Sequence, residues 1–172
     1  IVLAWVANTQ GVSPALRAVR TLTRPQATRF APTGLTTAAA GLPPVADIYI
    51  GTINLPYYLQ APGVGTPANP PTAVLTGFWR AGAGAYVAPF NQLGLDPTST
   101  NVTVANPIPV ATTTVVAPVL VTLPNAASGR TRPASGWPVV MFQHGVTRNR
   151  CDMLAISATM AAAGFAVVSI DQ

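Results

Sequence analysis

The chain has 172 residues, of which 49% are apolar and 8% charged, with a net charge of +5. So high an apolar share excludes a disordered tail, and the length fits one domain or two small ones. All positive charges are Arg and all negative ones Asp, which excludes the dense Lys/Arg stripe of a nucleic-acid surface.

Ile1–Ala7 is apolar and β-prone. Ser13 before Pro14 predicts an N-cap with Pro at the first helical position. That helix should run to about Leu22 with Leu16 and Val19 facing inward. Arg17, Arg20 and Arg24 fall at i, i+3 and i+7 and, with Arg29, form the one basic cluster. It reads as a solvated helix face, with an anionic partner as the competing reading. Residues 24–44, carrying Pro25, Pro32, Pro43 and Pro44, read mostly as loop. Ala46–Leu55 reads as a strand closed by Pro56, 60–73 as loop, and Val74–Trp79 as a short strand. Residues 101–123 are largely β-branched, and Pro107, Pro109 and Pro118 should cut them into short strands or place them at a sheet edge. Asn125–Gly136 is a turn-rich linker.

After the linker the pattern changes. Pro138–Gln143 reads as a continuous apolar strand and His144–Asn149 as a loop. A helix over about 151–163 follows, with Asn149 giving a capping-box-like start. Gly164 stops it, and residues 165–170 form a second strand. The uncharged run 153–170 reaches the length of a membrane span. However, Met153, Ile156 and Met160 have helical spacing, and the Gly and β-prone run after them predict helix, stop, strand. Strand, helix, parallel strand is a βαβ unit. Both strands read as apolar on two faces, as interior parallel strands do. The fold class is therefore α/β: a β-rich region over 1–125, then the opening of an α/β sheet over 126–172. The single Cys151 excludes an internal disulfide and a Cys-based zinc site, and it reads as a packed thiol. The start at Ile1, with no Met and no basic n-region, leads us to expect a signal peptide already removed or never there.

The chemistry concentrates where the strand ends in His144-Gly145-Val146. Gly permits a tight turn, and the Val146 N–H can then face a cleft at the carboxyl end of the strand, where open α/β sheets bind ligands. An N–H so placed stabilises a tetrahedral oxyanion. His144, the one histidine, reads as structural, bracing the turn, with general base and metal ligand as weaker alternatives. Asp171, also at a strand's carboxyl end, reads as an anchor for the loop after it. Tyr57, Tyr58, Phe78, Trp79, Tyr86 and Phe90 could line an acyl or interfacial surface, but the core of a β-rich domain is the favoured reading.

The run Gly136–Arg150 resembles the oxyanion strand and loop of α/β-hydrolases. More closely, it resembles bacterial extracellular lipases with a virulence-factor-lipase N-terminal domain. Asp152-Met153-Leu154 and Ala162–Asp171 fit the same pattern, as do Asn8–Val12, Ala46–Thr52 with Leu55–Leu59, and Leu75–Trp79. The resemblance implies the N-terminal part of a secreted or cell-surface serine carboxylester hydrolase, a lipase, esterase or polyester hydrolase acting without a cofactor or metal. Val146 would supply the oxyanion N–H, with Gly145 and His144 supporting the loop. The family's Gly-x-Ser-x-Gly elbow, later acid and later His have no counterpart here; Gly11-Val12-Ser13-Pro14-Ala15 is the nearest decoy. The resemblance thus implies a companion chain, the C-terminal remainder of the precursor, carrying the triad. It implies an acyl-ester substrate and no nucleic acid, and it leaves a membrane or lipid-interface contact open. The alternative is a non-catalytic β-rich surface or binding module.

Overall fold

A computed structural model describes residues 13–26, 28–59 and 77–171. The chain divides into two compact units, Ile1–Pro25 with Pro56–Thr114, and Gln26–Leu55 with Val115–Gln172. A boundary at 125/126 thus lies inside the second unit. The expected strand Ile1–Ala7, the loop 60–73 and residues 74–76 of the expected Val74–Trp79 strand lie outside the described residues; residues 77–79 are loop, not strand.

The second unit is built on a mixed α/β sheet of five strands: β1 (Arg29–Thr36), β2 (Ala46–Tyr57), β3 (Thr113–Pro124), β4 (Val139–Phe142) and β5 (Ala166–Ile170). Their order across the sheet is β1-β2-β3-β5-β4. β5 pairs antiparallel with β3 and parallel with β4. Helix α2 (Leu154–Ala163) connects β4 to β5, so the expected βαβ unit is present. A short 3-10 turn over Arg150–Met153 leads into α2, and the Asn149 side chain caps it by accepting from the Cys151 N–H. Gly164 ends α2 at φ +89°, a left-handed position that Gly occupies without steric cost.

The proline-rich segment read as loop contains β1 instead. It is an edge strand, so one of its sides carries no ladder, and Pro32 is tolerated there. It pairs antiparallel with β2, Phe30 opposite Gly51 and Pro32 opposite Tyr49. A Cβ on Gly51 would sit 2.2 Å from the Arg29 carbonyl oxygen, so glycine is what lets the two strands approach. Pro56 does not close β2, which continues to Tyr57; the β1 ladder has already ended at Thr52. Pro118 does not cut β3 either. It lies one residue outside the first β5 pair, Val119 with Ile170, where its missing N–H costs that ladder nothing.

Burial concentrates between α2 and one sheet face. Ile48, Leu120, Met153 and Val167 form the core, with Val140, Phe142, Leu154, Ile156 and Met160 packed against it. Two hydroxyls are tied up inside it: Thr122 donates to Ser157 at 3.2 Å, and Ser157 donates to the Met153 carbonyl at 2.9 Å. β5 is interior, as its pattern implied. β4 is not apolar on two buried faces: it is an edge strand whose Val139 and Met141 are 60% and 85% exposed. Among the described residues no helix is long and apolar enough to cross a membrane; the run 153–170 is turn, helix, Gly stop and strand.

In the first unit α1 spans Ser13–Leu22. Ser13 is itself the first helical residue, and Leu16 is 54% exposed rather than inward. Arg17 and Arg20 are exposed on the helix. Arg24 lies past its end and donates to the Thr21 carbonyl at 2.7 Å, satisfying one of the acceptors a helix C-terminus leaves over. Residues 77–112 are almost all loop, stitched by bridges between Arg80 and Asn101 and between Ala81 and Pro109. Buried Asn106 donates to the Gly82 carbonyl at 2.8 Å, and Tyr86 donates to the Asp96 carbonyl at 2.7 Å. The aromatic set is not a buried core. Phe78 is 54% exposed, and Tyr57, Tyr58, Trp79, Tyr86 and Phe90 are half-buried. The Arg80 guanidinium sits 4.5 Å over the Phe78 ring, and the Tyr58 and Trp79 rings lie 5.3 Å apart.

Candidate functional site

Parallel pairing brings the carboxyl ends of β4 and β5 to the same edge of the sheet, with Phe142 opposite Ser169. His144, Gly145 and Val146 follow β4 there, and Asp171 follows β5. The Arg148 N–H donates to the Gly145 carbonyl at 3.2 Å, closing a four-residue turn with Val146 and Thr147 at its centre. Thr147 has φ +65°. Turns that need a positive φ at their third residue usually place Gly there, and a β-branched side chain in that region costs roughly 1–3 kcal/mol. The loop therefore holds a strained residue directly after Val146.

Val146 is 92% exposed. Its carbonyl accepts from the Thr147 hydroxyl at 2.6 Å, while its N–H makes no hydrogen bond among the described residues. The His144 Nδ1 lies 2.8 Å from the Gly145 carbonyl, so that nitrogen carries the proton when it donates. The contact is local and ties the ring to the turn. Gln143, just before it, lines one end of an apolar cavity of about 390 Å³ shared by Phe30, Leu55, Met141, Val168 and Ile170.

Beyond the turn the loop is anchored. The Arg150 N–H donates to Asp171 Oδ1 at 2.8 Å, and the Arg150 guanidinium pairs with the same carboxylate. The Arg150 N–H, with help from the guanidinium and the charge on His144, holds the Asp171 carboxyl below the usual carboxylate range against the opposing effect of burial. Arg148 grips Asp152 with two contacts, 2.7 and 2.9 Å, one helical turn away. Hydrogen bonding and charge from Asp152 raise the Arg148 pKa.

Val146, Gly145 and His144 thus share one exposed turn at the carboxyl edge of the parallel pair. Asp171 reaches back to Arg150; the segment after it, which it was expected to anchor, lies outside the described residues. Cys151 is exposed rather than packed. Thr147 and Arg150 were missed in the sequence: a positive φ at Thr leaves no compositional mark, and Arg150 and Asp171 are 21 positions apart. Among the described residues no group of three or more His, Cys, Asp or Glu is placed to hold a metal ion. No family model, curated protein or solved structure matches the chain.

Proposed function

We propose that this chain is the N-terminal part of a bacterial secreted or cell-surface serine carboxylester hydrolase of the α/β-hydrolase type, and that its 144–149 loop supplies part of the oxyanion hole. One observation carries the reading. Val146, an exposed residue whose N–H has no partner among the described residues, sits in a strained turn at the carboxyl edge of a parallel strand pair. Strained turns with free donors are what a reaction centre that develops negative charge requires. In the reaction a serine attacks the ester carbonyl, and the Val146 N–H donates to the oxygen as it becomes an oxyanion. The acyl-enzyme is then hydrolysed by water. Gly145 allows the tight turn, and His144 braces it rather than taking a proton.

The serine, acid and base come from a companion chain of the same precursor. Its place is suggested by the outer edge of β4, where Val139 and Met141 stand exposed beside unpaired backbone. An apolar open edge of this kind accepts a further strand. The exposed Phe78 and its half-buried aromatic neighbours suit contact with a lipid interface.

The test is composition and activity together. Material purified from its source should give two bands on denaturing electrophoresis and one native peak well above 17.6 kDa. The isolated chain should not hydrolyse p-nitrophenyl esters. A single 17.6 kDa species that unfolds cooperatively would support the non-catalytic module instead. Saturable turnover by the isolated chain, abolished by one Ser→Ala change within it, would overturn the division of labour.

A further inference from the structure

We propose that Asp171 is the positioning residue of the 144–149 loop: from the end of β5 it fixes Arg150 and so keeps Thr147 left-handed and the Val146 N–H unpaired. A β-branched residue stays at positive φ only where its surroundings over-determine it. Within the turn, the Thr147 hydroxyl bonds to its neighbour's carbonyl in an exposed position. A bond so local moves with the turn and cannot set its conformation.

The restraints from outside are stronger: the Arg148–Asp152 pair ties the turn to the start of the helix, and two others run to the β5 end of the sheet. On the β4 side the loop leaves a ladder that ends with Phe142 opposite Ser169. On the helix side Arg150 is bound through its backbone N–H and its guanidinium to Asp171, two positions on from Ser169 and just past the end of β5. Asn149 ties the loop to the start of the helical turn through the Cys151 N–H at 2.9 Å. Met153, buried at 0% exposure, holds the turn's far end in the core. Asp171 therefore sets the position of the near end, where the loop arrives. The span between the two anchors is fixed by β5, and a turn closed at Gly145–Arg148 is how the chain fits it.

The consequence for catalysis rests on the oxyanion reading; the anchoring does not. The experiment is solution NMR on the full chain, comparing wild type with Asp171→Ala and Asp171→Asn. The backbone couplings and Cα shift of Thr147 report the sign of its φ, and amide exchange at Arg148 and Arg150 reports the turn. In Asp171→Ala, Thr147 should relax to averaged, mostly negative φ, and exchange at Arg148 and Arg150 should accelerate about tenfold or more, while Val121 and Val168 in the β3–β5 ladder are unchanged. Asp171→Asn keeps an acceptor for the Arg150 N–H and loses the ion pair, so it should fall between. Thr147 remaining at positive φ with Arg148 still protected in Asp171→Ala would overturn the proposal. If that variant unfolds, Asp171→Asn decides: wild-type Thr147 signatures there would overturn it, and intermediate ones support it. A relaxed Thr147 with unchanged kcat/KM for p-nitrophenyl ester hydrolysis by the copurified two-chain material would leave the anchoring standing and sink the oxyanion reading.

Discussion

Residues 153–170 and residues 77–112 are both poor in charge, yet different forces hold them. The first segment puts Met153, Ser157, Ala161, Ala166, Val167 and Ser169 below the surface, in helix and strand. The second buries only Ala81, Asn106 and Pro109. It is kept in shape by hydrogen bonds from turn residues: Thr103 accepts from the Ala105 and Asn106 N–H groups, and Asp96 accepts from the Thr98 N–H and hydroxyl. Where regular structure is scarce, backbone groups must find side-chain partners. A low-charge chain can therefore order itself by burial or by local polar bonding, and the two kinds of order should fail differently.

The sharpest way to break this comparison is Met153→Ala. It empties a fully buried site in the core and should cost about 2–5 kcal/mol in urea denaturation, with little change in protease cleavage within 77–112. A loss below about 1 kcal/mol would mean that the α2–sheet contact is not what holds the second unit. Next comes Asn106→Ala, which removes one of the two donors to the Gly82 carbonyl and leaves the Ala85 N–H. It should cost about 0.5–1.5 kcal/mol locally, seen as faster cleavage inside 77–112 with the α2 amides still protected.

A smaller effect is set by pH. The Asp171 carboxyl is held below the ordinary value near 3.9, so the native state takes up its proton less readily than the unfolded chain. Its stabilisation is fully present at neutral pH and is lost as pH falls from about 4 through the lowered native value. Asp171→Asn should flatten that part of the stability profile. A slope unchanged in the variant would assign it to another carboxylate. Smallest of all is Ser169→Ala. Among the described residues the buried Ser169 hydroxyl has no hydrogen-bond partner, so its removal should be neutral or stabilise by up to about 1 kcal/mol in thermal or urea unfolding. A clear destabilisation would show that the hydroxyl has a partner after all.

Periodic burial was legible in the sequence. The spacing of Met153, Ile156 and Met160, the Gly164 stop and the β-branched run after it correspond closely to the observed turn, helix and strand. The proline rules misled where strand position matters. Pro32, Pro56 and Pro118 all lie within strands, because each stands at an edge or beyond a ladder's end, and pairing partners are not written in the local sequence. For the same reason β4 read as interior: its composition is that of a buried strand, and only the sheet order reveals it as the edge. At the candidate site His144-Gly145-Val146 stood out through chain chemistry alone. The Asp171–Arg150 anchor did not, because it joins residues that only the parallel β4–β5 pairing brings together.

The methionines of the second unit carry a further consequence. Met141 on the edge strand is 85% exposed, whereas Met153 is at 0%. The two thioethers are chemically alike but differ in access to a reagent. A mild peroxide should convert Met141 to its sulfoxide quickly while sparing Met153 for as long as the core stays shut. Peptide mass mapping of the two sites over time then yields an internal clock. The Met141 rate gives the intrinsic reactivity, and the ratio of Met153 to Met141 oxidation gives the fraction of time that the helix stands away from the sheet.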